Sequence, residues 1–169
     1  MHELGIYLRG LTLFVAGVVV GTAMIPSSVA QETSNGALRL NHVGIAVKDF
    51  QESLNFYTKV MGFRVAYALP SPDGKPTTTF FQISRDTFLE MAPATANLPA
   101  GLTHIGILTD DASATVTQLR KAGATMADVR SGGGTGSRLS NVMDPNGIRL
   151  EVVEQPSGSL MRKAMESWK

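Results

Sequence analysis

The strongest constraint on this chain is an internal repeat. The stretch LNHVGIAV at residues 40–47 returns as LTHIGILT at residues 102–109, with a histidine at the same place in each apolar run. His42 and His104 are 62 residues apart (104 − 42), and at that offset Gly44 matches Gly106 and Asp49 matches Asp111. Phe50, Leu54 and Tyr57 match Ala112, Val116 and Leu119. Each trio falls at i, i+4, i+7, the spacing of one face of an amphipathic helix. Asp49 with Glu52 has the pattern of a capping box, and Asp111 can cap the second helix. Gly62 and Gly123 end the two helices at an offset of 61 (123 − 62), so the second copy has lost one residue by then.

Strand signals follow each helix. In the first half they are residues 63–69, 77–84 and 87–92, separated by Pro70, by Pro72-Asp73-Gly74 and by Arg85-Asp86. In the second half they are residues 125–130, 138–144 and 148–154, with Asp144-Pro145-Asn146-Gly147 as a hairpin turn. Each half therefore reads β-α-β-β-β. The predicted class is α+β, one domain over residues 38–155 made of modules 38–98 and 101–155, followed by a C-terminal helix over 156–169. In that helix Leu160, Met161 and Ala164 face one way.

The last strand of each half carries a glutamate, Glu90 and Glu151, again 61 residues apart (151 − 90). Strand alternation predicts where these groups point. Val43, Ile45 and Val47 share the face that packs on the helix, so His42 lies on the other, and Ile105 and Ile107 place His104 likewise. Leu89 and Met91 put Glu90 on that same open face. Leu150 and Val152 do this for Glu151, whereas Glu154 falls on the helix side. Two imidazoles and two carboxylates on one sheet face form a divalent-metal constellation, suited to Zn, Ni, Fe, Co or Mn.

The motifs H-V-G-I-x-V-x-D from His42, F-Y-x-x-V-x-G-F from Phe56 and D-P-x-G-x-x-x-E from Asp144 resemble the vicinal oxygen chelate superfamily. That superfamily includes glyoxalase I, methylmalonyl-CoA epimerase, extradiol dioxygenases, fosfomycin-resistance enzymes and bleomycin-binding proteins. The resemblance implies two βαβββ modules in a cupped mixed sheet and a homodimer. It also implies a metal held by His42, Glu90, His104 and Glu151, and a small-molecule substrate bound through neighbouring oxygens. A glutamate at position 90 is the glyoxalase I pattern. The implied activity is that of a lyase or isomerase working through an enediolate-type intermediate, with Glu151 or Glu90 as the base. The alternatives are an extradiol-type dioxygenase and a non-enzymatic binding or resistance protein. Ala46 and Ala94 stand where glyoxalase I typically keeps an arginine and an asparagine for glutathione, so the resemblance leaves the substrate open.

Composition narrows the remaining choices. A net charge of +1 gives no basic stripe for nucleic acid, and the absence of cysteine excludes disulfides, thiolate nucleophiles and Cys-ligated zinc. Arg9 precedes an apolar run over residues 11–25, broken by Pro26, and Ser28-Val29-Ala30 supplies the small residues of a cleavage site. Residues 1–30 thus read as a signal peptide and 31–37 as a polar tether, which implies a secreted or periplasmic protein with no stable membrane span after cleavage. The loop Ser131–Arg138 reads as a mobile hairpin loop, a phosphate cradle or a lid. Arg64 and Arg138 are candidate substrate anchors or solvated surface residues, and Phe80, Phe81 and Phe88 are core or pocket wall.

Overall fold

A computed structural model describes residues 38–71, 73 and 76–169. The signal-peptide and tether readings of residues 1–37 lie outside the described residues, as do Pro72 and Gly74 of the predicted turn. Eight strands form one mixed sheet in the order β2-β3-β4-β1-β5-β8-β7-β6. They are β1 (Arg39–Val47), β2 (Arg64–Pro70), β3 (Pro76–Ser84), β4 (Thr87–Pro93), β5 (Gly101–Thr109), β6 (Arg130–Ser131), β7 (Arg138–Met143) and β8 (Arg149–Glu154). Within each module the first strand runs parallel to the last, β1 with β4 and β5 with β8. The modules join where β1 and β5 pair antiparallel. No helix among the described residues is long and apolar enough to cross a membrane.

The helices cover one face of this sheet as the periodicity predicts. Helix α1 (Phe50–Asn55) continues as a π-helical turn (Phe56–Val60), and α2 spans Ala112–Lys121. Asp49 accepts from the Glu52 amide at 2.8 Å and Asp111 from the Ala114 amide at 2.9 Å, so both helices are side-chain capped. Phe50, Leu54 and Tyr57 pack on Phe81, Leu89 and Met91, and Val116 and Leu119 pack with Val152 and Met126. The Thr58 hydroxyl donates to the Leu54 carbonyl at 2.7 Å, and the Met61 amide reaches back to the Phe56 carbonyl. Both modules end their helices at a glycine of positive φ, Gly62 at 70° and Gly123 at 100°.

Two elements differ from expectation. Residues 125–130 form a strand only at Arg130–Ser131. Just before it, side chains take the carbonyls that a ladder would use: Arg120 donates to Met126 and Ser140 to Ala127. The C-terminal helix α3 is shorter than the predicted stretch, Leu160–Glu166, and begins at the Ser159 cap. Its buried residues are Met161, Ala164 and Met165, with Leu160 only half-buried. They pack on Phe80, Phe88 and Leu108, on the concave face of the sheet. The cup is therefore roofed by the chain's own C-terminus.

Candidate metal centre

Strand register assembles the site. On the concave face one cross-strand row runs Phe80, Glu90, Gly44, His104, and the next runs Phe88, His42, Gly106, Glu151, Asn141. Each module's glutamate thus lines up with its own module's glycine and with the histidine of the other module. The two rows are copies of one another, and the site lies where they meet. All four predicted groups converge, and all four come from one chain.

The imidazole Nε2 atoms of His42 and His104 face each other at 3.0 Å. His42 Nε2 lies 3.6 Å from a Glu151 oxygen and 3.7 Å from a Glu90 oxygen, and His104 Nε2 lies 3.4 Å from the same Glu90 oxygen. His42, His104 and Glu151 offer ligand atoms all within 4.8 Å of one another, a set that could hold a metal ion. Glu90 stands beside that set, within reach of both histidines.

The surroundings fix which imidazole nitrogens face inward. Asn41, fully buried, donates its amide to the Asp86 carbonyl at 3.1 Å, which leaves its oxygen to accept from His42 Nδ1 at 3.0 Å. His42 therefore carries its proton on Nδ1 and presents the Nε2 lone pair to the cup, the tautomer a metal ligand needs. Thr103 takes the matching place in the second module, with its hydroxyl 2.9 Å from His104 Nδ1. Arg149 also meets that nitrogen at 2.9 Å. An arginine can only donate, so in this arrangement His104 Nδ1 accepts and Nε2 bears the proton, directed at His42. His42 thus offers one backed nitrogen lone pair to the cup, and His104 would offer a second once its proton moves to Nδ1; with the carboxylates opposite, such a set suits a borderline divalent cation.

Burial and mutual fields separate the four groups. Burial is the main force on His42 and lowers its pKa to about 4; Glu90 opposes the shift, and His104 and Arg149 add to it. Burial alone would raise the Glu90 carboxyl, but the His104 hydrogen bond and the fields of His42, His104 and Arg149 hold it below the usual carboxylate value. Glu151 is pushed up, first by burial and then by Glu90, against the pull of His104, Arg149 and Arg130.

Several residues at the site were missed by sequence reasoning, and some carried a usable signal. Asn41 and Thr103 stand 62 residues apart (103 − 41), so the repeat itself marked them. Arg149 shares the face of Glu151 two residues on, which alternation predicts. Gly44 and Gly106 were matched, but their purpose was not read: a Cβ at Gly44 would strike the His104 ring, and one at Gly106 the His42 ring. The predicted anchors go elsewhere. Arg138 pairs with Glu154 at 2.8 Å, and Arg64 binds Gln82 and lies over Trp168. Glu154 accepts from the Ala112 amide at the start of α2, away from the metal set. The glycine loop lines the cavity but is tied down: the Leu160 amide donates to the Thr135 carbonyl, and Ser137 donates to Gln155.

The chain is similar to known proteins in sequence and in fold. The chain is 28% identical over 128 residues to the lactoylglutathione lyase of Escherichia coli O157:H7, covering 70% of this chain and 93% of that one. It is 30% identical over 127 residues to the uncharacterized protein YwbC of Bacillus subtilis, covering 72% and 93%. The structure of Streptomyces coelicolor methylmalonyl-CoA epimerase superimposes with a TM-score of 0.62 at 23% identity, covering 73% of this chain and 99% of that one. The family profile described as Glyoxalase/Bleomycin resistance protein/Dioxygenase superfamily matches residues 39–152, nearly the whole described sheet. On this evidence the chain belongs to the glyoxalase/bleomycin resistance protein/dioxygenase superfamily.

Proposed function

We propose that the protein is a metal-dependent, glyoxalase-like lyase or isomerase acting on a small molecule with adjacent oxygens. The observation that carries this reading is the convergence of His42, His104, Glu90 and Glu151 from two repeat copies on one point of the concave face. His42, His104 and Glu151 would hold the ion, with Glu90 completing the set. A divalent ion held by these residues would supply Lewis-acid stabilisation of negative charge on a neighbouring substrate oxygen.

The chain's own groups then handle the proton. A carboxylate removes the proton from the carbon next to the carbonyl; the C–H electron pair moves into the carbon framework and charge collects on oxygen as an enediolate. The same carboxylic acid returns the proton to the adjacent carbon, while the hydroxyl proton passes to the former carbonyl oxygen, so two protons change place and no electrons are gained or lost. Glu151 or Glu90 would serve as that carboxylate: Glu151 belongs to the ligand set, and Glu90 stands beside it within reach of both histidines. The similarity to lactoylglutathione lyases supports this chemistry. The buried Ala46 argues against glutathione, since a methyl group cannot replace a charge-assisted hydrogen bond to a tripeptide carboxylate.

Elemental analysis of the purified protein, wild type beside His42→Ala, tests the reading. The expected result is close to one bound ion per chain in wild type and a large loss in the variant. Wild type without metal after exposure to excess Zn, Ni, Co, Mn and Fe(II) would end it. A hemithioacetal assay tests the substrate argument separately, because rapid turnover with glutathione would show that Ala46 and Ala94 do not exclude it.

A further inference from the structure

Among the described residues, the buried side-chain atoms without a hydrogen-bond partner are the Tyr67 hydroxyl and the Asn141 amide oxygen, and of these two residues Tyr67 lines the cavity. The Tyr67 hydroxyl is buried, lines the cavity with His42, Glu90 and Glu151, and has no hydrogen-bond partner. Buried hydroxyls are nearly always paired, and leaving one unpaired costs stability, so an orphan in a ligand cavity points to a ligand. Its position depends on a backbone irregularity. Val65 pairs with Phe81 on the helix side, and by simple alternation Tyr67 would share that side. The register shifts between Val65 and Tyr67, so Tyr67 pairs with Phe80 and stacks on its ring at 4.5 Å, on the concave face. Burial, and then Glu90, raise the phenol pKa, so the group stays neutral and able to donate.

The cavity also has a size. Its volume is about 180 Å³. It falls below the roughly 300 Å³ at which drug-sized ligand sites begin. The C-terminal segment narrows it: Met161 is part of its lining, and the loop at Thr135 is hydrogen-bonded to the start of α3.

Building on the function proposed above, we infer that the cup binds a free, small 2-oxo or 2-hydroxy carbonyl compound rather than a tripeptide conjugate, and that Tyr67 selects it by donating a hydrogen bond to a ligand oxygen. Leu69 and Leu139 supply apolar wall for the rest of the ligand.

Calorimetric titration of metal-replete wild type and Tyr67→Phe with D-lactate, hydroxyacetone and S-lactoylglutathione tests this, with metal content and Tm measured on the same samples. At least one small probe should bind wild type, and bind Tyr67→Phe about 3- to 10-fold more weakly, the effect of one neutral hydrogen bond. The Tm of Tyr67→Phe should equal or exceed that of wild type, because the variant removes an unpaired buried hydroxyl. S-lactoylglutathione should bind wild type more weakly than the better small probe. Absence of binding by both small probes, equal affinity in the two proteins, a lowered Tm in Tyr67→Phe, or tighter binding of S-lactoylglutathione would each overturn the inference. Metal content is read independently: metal-free wild type would end the proposed chemistry, while the contrast between wild type and Tyr67→Phe decides the role of Tyr67.

Discussion

Replacing Gly106 with alanine tests whether the repeat's glycines exist to seat the opposing histidine rings. A methyl at Gly106 would lie 2.6 Å from His42 Nε2 and closer still to Cε1 and Nδ1, whereas real Cβ atoms essentially never approach a neighbour within 3.0 Å. The ring has little room to yield. His42 is 2% exposed, its Nδ1 is held by Asn41, and Asn41 is fully buried and held by Asp86. Overpacking of this kind costs about 1–3 kcal/mol. Disturbing the hydrogen-bonded seat of a ligand typically costs about 10- to 100-fold in metal affinity. We therefore expect Gly106→Ala to fold with a lowered Tm and to bind its metal about 10- to 100-fold more weakly, measured by competition with a chromogenic chelator. Gly44→Ala should act alike through His104. Gly133→Ala is the control, because a Cβ there meets nothing within 4 Å and its φ is not positive. Metal affinity and Tm of Gly106→Ala both matching those of Gly133→Ala would refute the reasoning.

Further outcomes follow from the same geometry. Metal-free protein should lose stability as the pH falls from 6.5 toward about 4, because the unfolded chain protonates His42 in that window and the folded chain does not. The shift corresponds to about 3 kcal/mol. It is checked by urea denaturation of metal-free wild type and His42→Asn at pH 7.5 and 4.5, where the variant should show the flatter dependence. Arg149→Met should tighten metal binding by about tenfold: His104 would no longer be held in the Nε2–H tautomer, and a nearby cation would be gone. Calorimetry with Zn or Ni would show it, and weaker binding would contradict the tautomer assignment. We also propose that residues 1–30 direct export. Intact-mass analysis of the exported product expressed from Met1 should give an N-terminus at Gln31.

The repeat made the four-group site legible, because period-2 alternation and a fixed offset both act along the chain. His42, Glu90, His104 and Glu151 could be placed on one face without knowing which strands are neighbours. What alternation could not give was the pairing of β1 with β5, and this pairing decides that each glycine faces the other module's histidine. The residues that shape the ligand space were less legible for a related reason. Tyr67 reaches the cup through a register shift, which reverses the face assigned by counting. Helix α3 was foreseen as a helix, but its seat on Phe80, Phe88 and Leu108 is a contact between distant segments that no local pattern encodes. Local periodicity thus carried the chemistry, and tertiary packing carried the specificity. The two can vary separately: the four site groups lie within the matched span of 39–152, whereas the packing over the cup comes from residues after Glu154. On the inference proposed above, substrate choice would rest on the residues after Glu154 and on one bulge. Variants at Met161 or Tyr67 should change which ligands bind while leaving metal content intact.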